Sequence, residues 1–212
     1  MRRRTRKASY ELLAELLLYP EQRDGKRIRA LMREAALAPA AVREPLEALL
    51  ASPEVHDCER YVALMELAPA CPLYLGYYLF DEPRTCRGAA TSGRNRYMIE
   101  LAAVYRHFGL EPTAAEVPDF LPLVLEFLSL SLDRPERNRD GLREIFIHRY
   151  VLPAMRPMRQ RFAEAGGAWA LALDSVDALL RSEPRRTTPA QGGGTGQARS
   201  RALPVIQHEA RS

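Results

Sequence analysis

Apolar residues recur three and four positions apart along most of the chain. No stretch sustains the period-two alternation of β-branched and aromatic residues that marks a half-buried strand. The pattern predicts an all-α fold with helices at about 8–18, 23–37, 40–51, 55–67, 72–80, 94–108, 120–131, 140–150, 153–165 and 168–181. Pro20, Pro39, Pro53, Pro72, Pro83 and Pro112 fall at breaks or first turns, where a missing N–H and a fixed φ cost little. Gly109, after His107-Phe108, is placed for a left-handed C-cap. These elements make a single-domain helical bundle of about eight to ten helices over residues 8–182. A basic, disordered lead-in (1–7) precedes it, and a tail (183–212) of Pro, Gly, Gln, Thr and Arg follows, read as disordered because it has little to bury. Residues 81–96 are polar, contain Gly88 and Gly93, and read as a connecting loop.

Charge changes this picture once it is divided along the chain. The 212 residues carry 31 Lys+Arg and 27 Asp+Glu, a formal +4. Five basic groups lie in residues 1–7, and six arginines lie in 181–212 against Glu183 and Glu209; residues 8–180 are left with 20 basic and 25 acidic groups. A mildly acidic body thus carries two basic ends, and charge repulsion keeps nucleic acid off the body. A nucleic-acid-binding regulator using Arg2, Arg3, Arg4, Arg6 and the tail is the alternative reading. It lacks an evident basic recognition helix, and the basic run Arg156 to Arg161 reads as readily as a solvated face.

No apolar run approaches the roughly 20 residues of a membrane span. Leu12 to Leu18 resembles a signal-peptide core only superficially, since Glu11 and Glu15 interrupt it and Tyr19-Pro20 follows it. A cytoplasmic protein is expected. Cys58, Cys71 and Cys86 are odd in number and widely spaced, which fits a reducing compartment; His56 with Cys58 and Cys71 lacks metal-site spacing. Gly192-Gly193-Gly194-Thr195-Gly196 has neither the Lys-Ser/Thr nor the strand and helix of a phosphate loop. The serines lack a nucleophile elbow, His107 and His148 sit inside predicted helices, and no carboxylate pair has a recognisable spacing. Neither a catalytic site nor a metal site is expected.

Two constellations stand out. Leu73-Tyr74-Leu75-Gly76-Tyr77-Tyr78-Leu79-Phe80 places Tyr74, Tyr77 and Tyr78 on one face of a predicted helix, with Gly76 admitting a close backbone. Such an apolar helix is either simply buried or supplies tyrosines to a peptide-holding groove. In Glu116-Val117-Pro118-Asp119-Phe120-Leu121-Pro122-Leu123-Val124-Leu125-Glu126-Phe127, Thr113 and Glu116 have capping-box spacing, and Asp119 can cap the following helix, whose first turn holds Pro122. Glu126, between Leu125 and Phe127, needs a cationic or hydrogen-bonding partner if it is buried.

These constellations, in this order, resemble the respiratory nitrate reductase delta-subunit family. Its signature, similar to Glu-Leu-Pro-Asp-His-Leu-Pro followed by Leu-Glu-Phe, is matched by Glu116, Pro118, Asp119, Leu121, Pro122, Leu125, Glu126 and Phe127, with Val117 and Phe120 departing from it. An upstream Ser-Leu-Tyr-Leu-Thr-Tyr-Tyr-like stretch is matched by Leu73, Tyr74, Leu75, Tyr77 and Tyr78, with Pro72 and Gly76 as departures. Leu17-Leu18-Tyr19-Pro20, Tyr61, Arg87-Gly88, Tyr105 and Gly109 are also similar, so the resemblance spans roughly residues 10–180.

The resemblance implies a non-enzymatic, cytoplasmic, all-helical chaperone. It would bind the leader and body of the catalytic (alpha) subunit of a nitrate reductase or related molybdoenzyme and assist insertion of the molybdenum cofactor before export or membrane docking. The cofactor would go to the client and not be held tightly. Nucleic acid and direct membrane insertion are not expected. On that reading Tyr74, Tyr77, Tyr78, Glu116, Asp119, Leu121, Leu125, Glu126 and Phe127 are the candidate peptide-binding residues. The body's negative balance would draw in leaders that carry arginines.

Overall fold

The computed structural model describes residues 1–67, 69–80, 93–112 and 116–184. Among them the chain forms α1 (Arg3–Leu16), α2 (Gly25–Ala35), α3 (Ala40–Ala51), α4 (Cys58–Met65), α5 (Gly93–His107), α6 (Leu121–Ser131), α7 (Leu142–Phe146), α8 (Leu152–Ala165) and α9 (Trp169–Arg181). The one β feature among these residues is an isolated antiparallel bridge between Tyr74 and Phe120. The all-α class read from the apolar spacing is the class observed.

Local chemistry sets several ends. The Asp24 carboxylate accepts from the Lys26 and Arg27 N–H groups at the start of α2, and Asp57 accepts from Arg60 N–H at the start of α4. Gly109 has φ +66°; its N–H donates to Arg106 and that of Leu110 to Tyr105, which closes α5 with the expected left-handed cap.

In the bundle, α1 packs on α2 and α6, and α9 packs on α3 and α8. Trp169, at the start of α9, is fully buried and meets Tyr61 edge to face at 5.8 Å. A second aromatic cluster joins α5, α6 and α7: Phe127 lies 4.6 Å from Tyr105, 4.9 Å from Phe146 and 5.3 Å from Phe108. Such pairs combine large buried area with favourable ring geometry.

The structure corrects four expectations. The basic lead-in is the first turn of α1: Arg3 and Lys7 pair with Asp133, Arg4 with Glu34 and Arg6 with Glu183, so charges far along the chain hold it in a helix. The expected helix 72–80 is a single 3-10 turn, Leu75–Tyr78, because Leu73 to Leu75 bond to the chain around Phe120. The helices expected at 140–150 and 153–165 form one run. A π turn at Ile147–Val151 joins α7 to α8, and its wider turn accommodates Pro153, whose ring crowds the carbonyl four residues back in an α-helix. Glu183, placed at the start of the tail, is 4% exposed and bonded into the core. Residues 185–212, the loop segment 81–92 with Cys86 and Arg87-Gly88, and Thr113 lie outside the described residues.

Candidate functional site

The two constellations singled out in the sequence meet in space. Leu75 N–H donates to the Asp119 carbonyl at 2.9 Å and Leu121 N–H to the Leu73 carbonyl at 2.8 Å, clasping the 3-10 turn to the start of α6. Asp119, 0% exposed, does not cap α6. Its Oδ2 accepts from Gly76 N–H at 2.9 Å and lies 3.8 Å from the Arg94 guanidinium. The N-cap of α6 is Phe120, with no side-chain cap bond, and Pro122 offers no N–H in the first turn; the carboxylate therefore turns to the facing segment. A Cβ at position 76 would stand 2.7 Å from Oδ2, so the glycine is what lets the two segments approach. Burial raises the Asp119 carboxyl above its usual range, against the Gly76 N–H and Arg94.

Beside this clasp runs a groove made of contiguous pits. The first, about 180 Å³, lies between α1 (Glu11, Ala14, Glu15) with Leu18 just beyond it and the start of α6 (Pro122, Leu123, Glu126) with its N-cap Phe120, and has Glu116 and Arg27 at its edge. A second, about 160 Å³, shares Leu123 and Glu126 with it and adds Leu110, Glu111, Pro112, Phe127 and Leu130. At the other end a pit of about 140 Å³ shares Leu18, Glu116 and Phe120 with the first and adds Tyr19, Tyr61, Met65, Glu66 and Tyr74. Tyr19 leads on to an open depression with Cys58, Glu59, Val62 and Leu67, where Leu67 is 72% exposed. Each of the three pits is below the roughly 300 Å³ of a small-molecule site. Strung together, they suit successive side chains of one peptide segment.

The rim is acidic. Among the described residues Glu59, Glu66, Glu111, Glu116 and Glu126 are exposed and have no ion-pair partner, whereas Glu11 and Glu15 face Arg27 at 3.6 and 3.5 Å. The tyrosines beneath register the resulting field. The Tyr74 hydroxyl is pushed up by burial and then by Glu116, Asp119 and Glu66; that of Tyr61 is pushed up by burial and then by Glu66.

The sequence-based candidates divide on this surface. Tyr74, Glu116, Glu126 and Phe127 line the groove. Exposed on α6, Glu126 needs no buried partner. Leu121 and Leu125 are 0% exposed and back the groove from within. Asp119 holds the clasp. Tyr77 and Tyr78 do not share a face with Tyr74: they border a separate depression with Pro157 and Arg161, where the Tyr78 hydroxyl donates to the Pro72 carbonyl at 2.9 Å. A helix would have aligned the three tyrosines; the extended backbone at Tyr74 and the short 3-10 turn separate them. Glu11, Ala14, Glu15, Leu18, Tyr19, Leu110 and Leu123 were missed as groove residues. The spacing of Glu11, Ala14 and Glu15 along α1, and of Leu123, Glu126 and Leu130 along α6, was their available signal.

Among the described residues no three His, Cys, Asp or Glu side chains could hold a metal ion, and no helix is long and apolar enough to cross a membrane.

A family model described as the nitrate reductase delta subunit matches residues 27–170, more than half of the chain. The nitrate reductase-like protein NarX of Mycobacterium tuberculosis is 38% identical over 80 residues, 38% of this chain and 11% of NarX. The probable nitrate reductase molybdenum cofactor assembly chaperone NarW of Escherichia coli K12 is 29% identical over 113 residues, 47% of this chain and 46% of NarW. The chain thus spans about a tenth of the one relative's length and less than half of the other's.

Proposed function

Since the chain belongs to the nitrate reductase delta subunit family, we propose that it is a non-enzymatic assembly chaperone for the catalytic subunit of a nitrate reductase or related molybdoenzyme. It holds the apo subunit by an N-terminal leader laid along the groove, in the cytoplasm, until the molybdenum cofactor has been inserted; the cofactor passes to the client. The observation that carries this reading is a row of apolar pits between α1 and α6 under glutamates that have no partner of their own among the described residues. Leucine-, phenylalanine- and tyrosine-lined pits supply contact area for the apolar face of a helical or extended segment. Glu116, Glu126 and Glu66 supply attraction for its arginines, which speeds encounter and weakens with salt.

The basic N-terminal turn does not favour the nucleic-acid alternative, since Arg3, Arg4, Arg6 and Lys7 are spent in internal ion pairs. Calorimetric titration of the full chain with a synthetic peptide of the N-terminal leader of a nitrate reductase catalytic subunit tests the reading, with a DNA duplex as control. Saturable peptide binding that weakens as salt rises is expected. DNA binding with no affinity for the peptide would overturn it.

A further inference from the structure

We propose that the solvent face of α2 is a peripheral docking surface for an anionic lipid bilayer, separate from the groove and independent of what the groove holds. Helical spacing gathers Arg29, Arg33 and Lys26 into one stripe that covers only about 60° of the helix circumference. All three are exposed, and none has an ion-pair partner among the described residues. Lys26 lies in the first turn, where the helix dipole disfavours a cation, and Arg29 and Arg33 stand four apart, where like charges repel. Helix stability therefore does not account for the stripe. The one acid of α2, Glu34, pairs with Arg4 of α1 at 2.7 Å, which holds the N-terminal turn and its exposed Arg2 against the end of α2.

Apolar side chains flank the cations. Met32 is 39% exposed on one side of the stripe; on the other, Leu37 is 68% exposed, in a turn continued by its N–H bond to the Glu34 carbonyl. An anionic bilayer answers both features at once. Its headgroups offer diffuse negative charge to a row of cations on a convex helix, and the Met and Leu side chains beside them can enter the boundary between headgroups and acyl chains. A nucleic acid would use the cations alone. Each cation near such a surface strengthens binding about fivefold, so the stripe supplies about a hundredfold. Arg27, at the edge of the groove's first pit, lies about 130° around α2 from the middle of the stripe. A bilayer against the stripe thus leaves the groove open.

The test is co-sedimentation of the full chain with vesicles of phosphatidylglycerol and phosphatidylcholine in equal parts, with pure phosphatidylcholine vesicles as control. Wild type is expected to bind the anionic vesicles at low salt, to leave the neutral ones, and to release at about 1 M salt, where screening acts over roughly 3 Å. K26Q/R29Q/R33Q, checked by circular dichroism for intact helices, is expected to bind about a hundredfold more weakly, and M32Q/L37Q several-fold more weakly. Anionic-vesicle binding that either variant leaves unchanged overturns the proposal; survival in K26Q/R29Q/R33Q would move the lipid contact to another basic part of the chain. Equal binding to neutral vesicles, or binding to neither kind, overturns it as well. If polyglutamate then binds wild type and not K26Q/R29Q/R33Q, the stripe belongs to an acidic protein segment. None of the five residues lines the groove, so either result leaves the client-binding reading standing.

Discussion

The two sides of α1 use carboxylates in opposite ways. On one side Arg6 and Tyr10 meet Glu183 and Arg143: the Arg143 guanidinium donates to Glu183 at 2.8 Å, and Tyr10 donates to the same oxygen at 2.8 Å. Arg143 also donates to Ser131 and to the Leu128 carbonyl, and its ring-facing carbon lies 5.7 Å over Tyr10. Burial works against its charge, but Glu183 and Tyr10 together outweigh it and hold the guanidinium above its usual range. Along the other side runs the apolar groove, where Glu11 and the buried Glu15 pair with Arg27 while Glu116 and Glu126, across from them, are exposed and have no ion-pair partner among the described residues. A charge that is buried and satisfied joins distant parts of the chain; one that is exposed and unpaired is left to act on a partner.

The most damaging way to probe that contrast is to break the buried side. Glu183→Ala strands Arg143 in the core and is expected to cost about 3–5 kcal/mol, read as a fall in the urea midpoint. Leader affinity in the fraction that stays folded should not change. Gly76→Ala comes next: its Cβ would stand 2.7 Å from Oδ2 of the fully buried Asp119, and the expected cost is about 1–3 kcal/mol. Adding Asp119→Ala should cost less in the Gly76→Ala background than alone, because it removes the clash. Additive effects in that double-mutant cycle would mean that the clasp is not what makes the glycine necessary.

A smaller effect concerns pH. The Asp119 carboxyl binds its proton more tightly folded than unfolded, since burial raises its value. Stability therefore falls as pH rises through the window from about 4, the ordinary carboxyl value, to the higher folded value, and is unaffected by this group below that window. Asp119→Asn keeps an oxygen to accept from Gly76 and removes the charge. Denaturant midpoints across pH 4–7 should show the wild type losing stability relative to this variant as pH rises; parallel curves would show that Arg94 and Gly76 fully stabilise the anion.

Apolar spacing was enough to recover the helices that own a continuous stripe, as in α1, α3 and α9, and glycine stereochemistry was enough to place the end of α5 at Gly109. What escaped was non-local. Nothing near Leu73 to Leu75 announces two backbone bonds to residues more than 40 positions away, and local spacing alone read Tyr74, Tyr77 and Tyr78 as a helical face. Likewise Arg3 to Lys7 look like a loose basic fringe until Glu34, Asp133 and Glu183 are brought to them. Asp119 was recognised as important in the sequence, but its role was misassigned because a cap is a local bond and a clasp is not. The groove was half legible. Glu126 and Phe127 belong to the motif at the start of α6, while Glu11 and Glu15 served only to exclude a signal peptide, although their four-residue spacing put them on one face of α1.

The mildest substitutions discriminate best between the two uses of charge. Glu116→Gln with Glu126→Gln changes shape little and removes two exposed charges that have no ion-pair partner among the described residues, so folding stability should stay within about 0.5 kcal/mol of wild type. Leader peptide affinity at low salt should weaken several-fold, mainly through slower association, because long-range attraction is lost while the apolar pits remain. At about 1 M salt, where screening acts over roughly 3 Å, the two proteins should bind alike. If stability falls instead, these glutamates are structural after all and α1 does not separate two kinds of carboxylate. Affinity lost equally at every salt concentration would point to direct hydrogen bonds from the peptide, which neutral glutamine fails to replace.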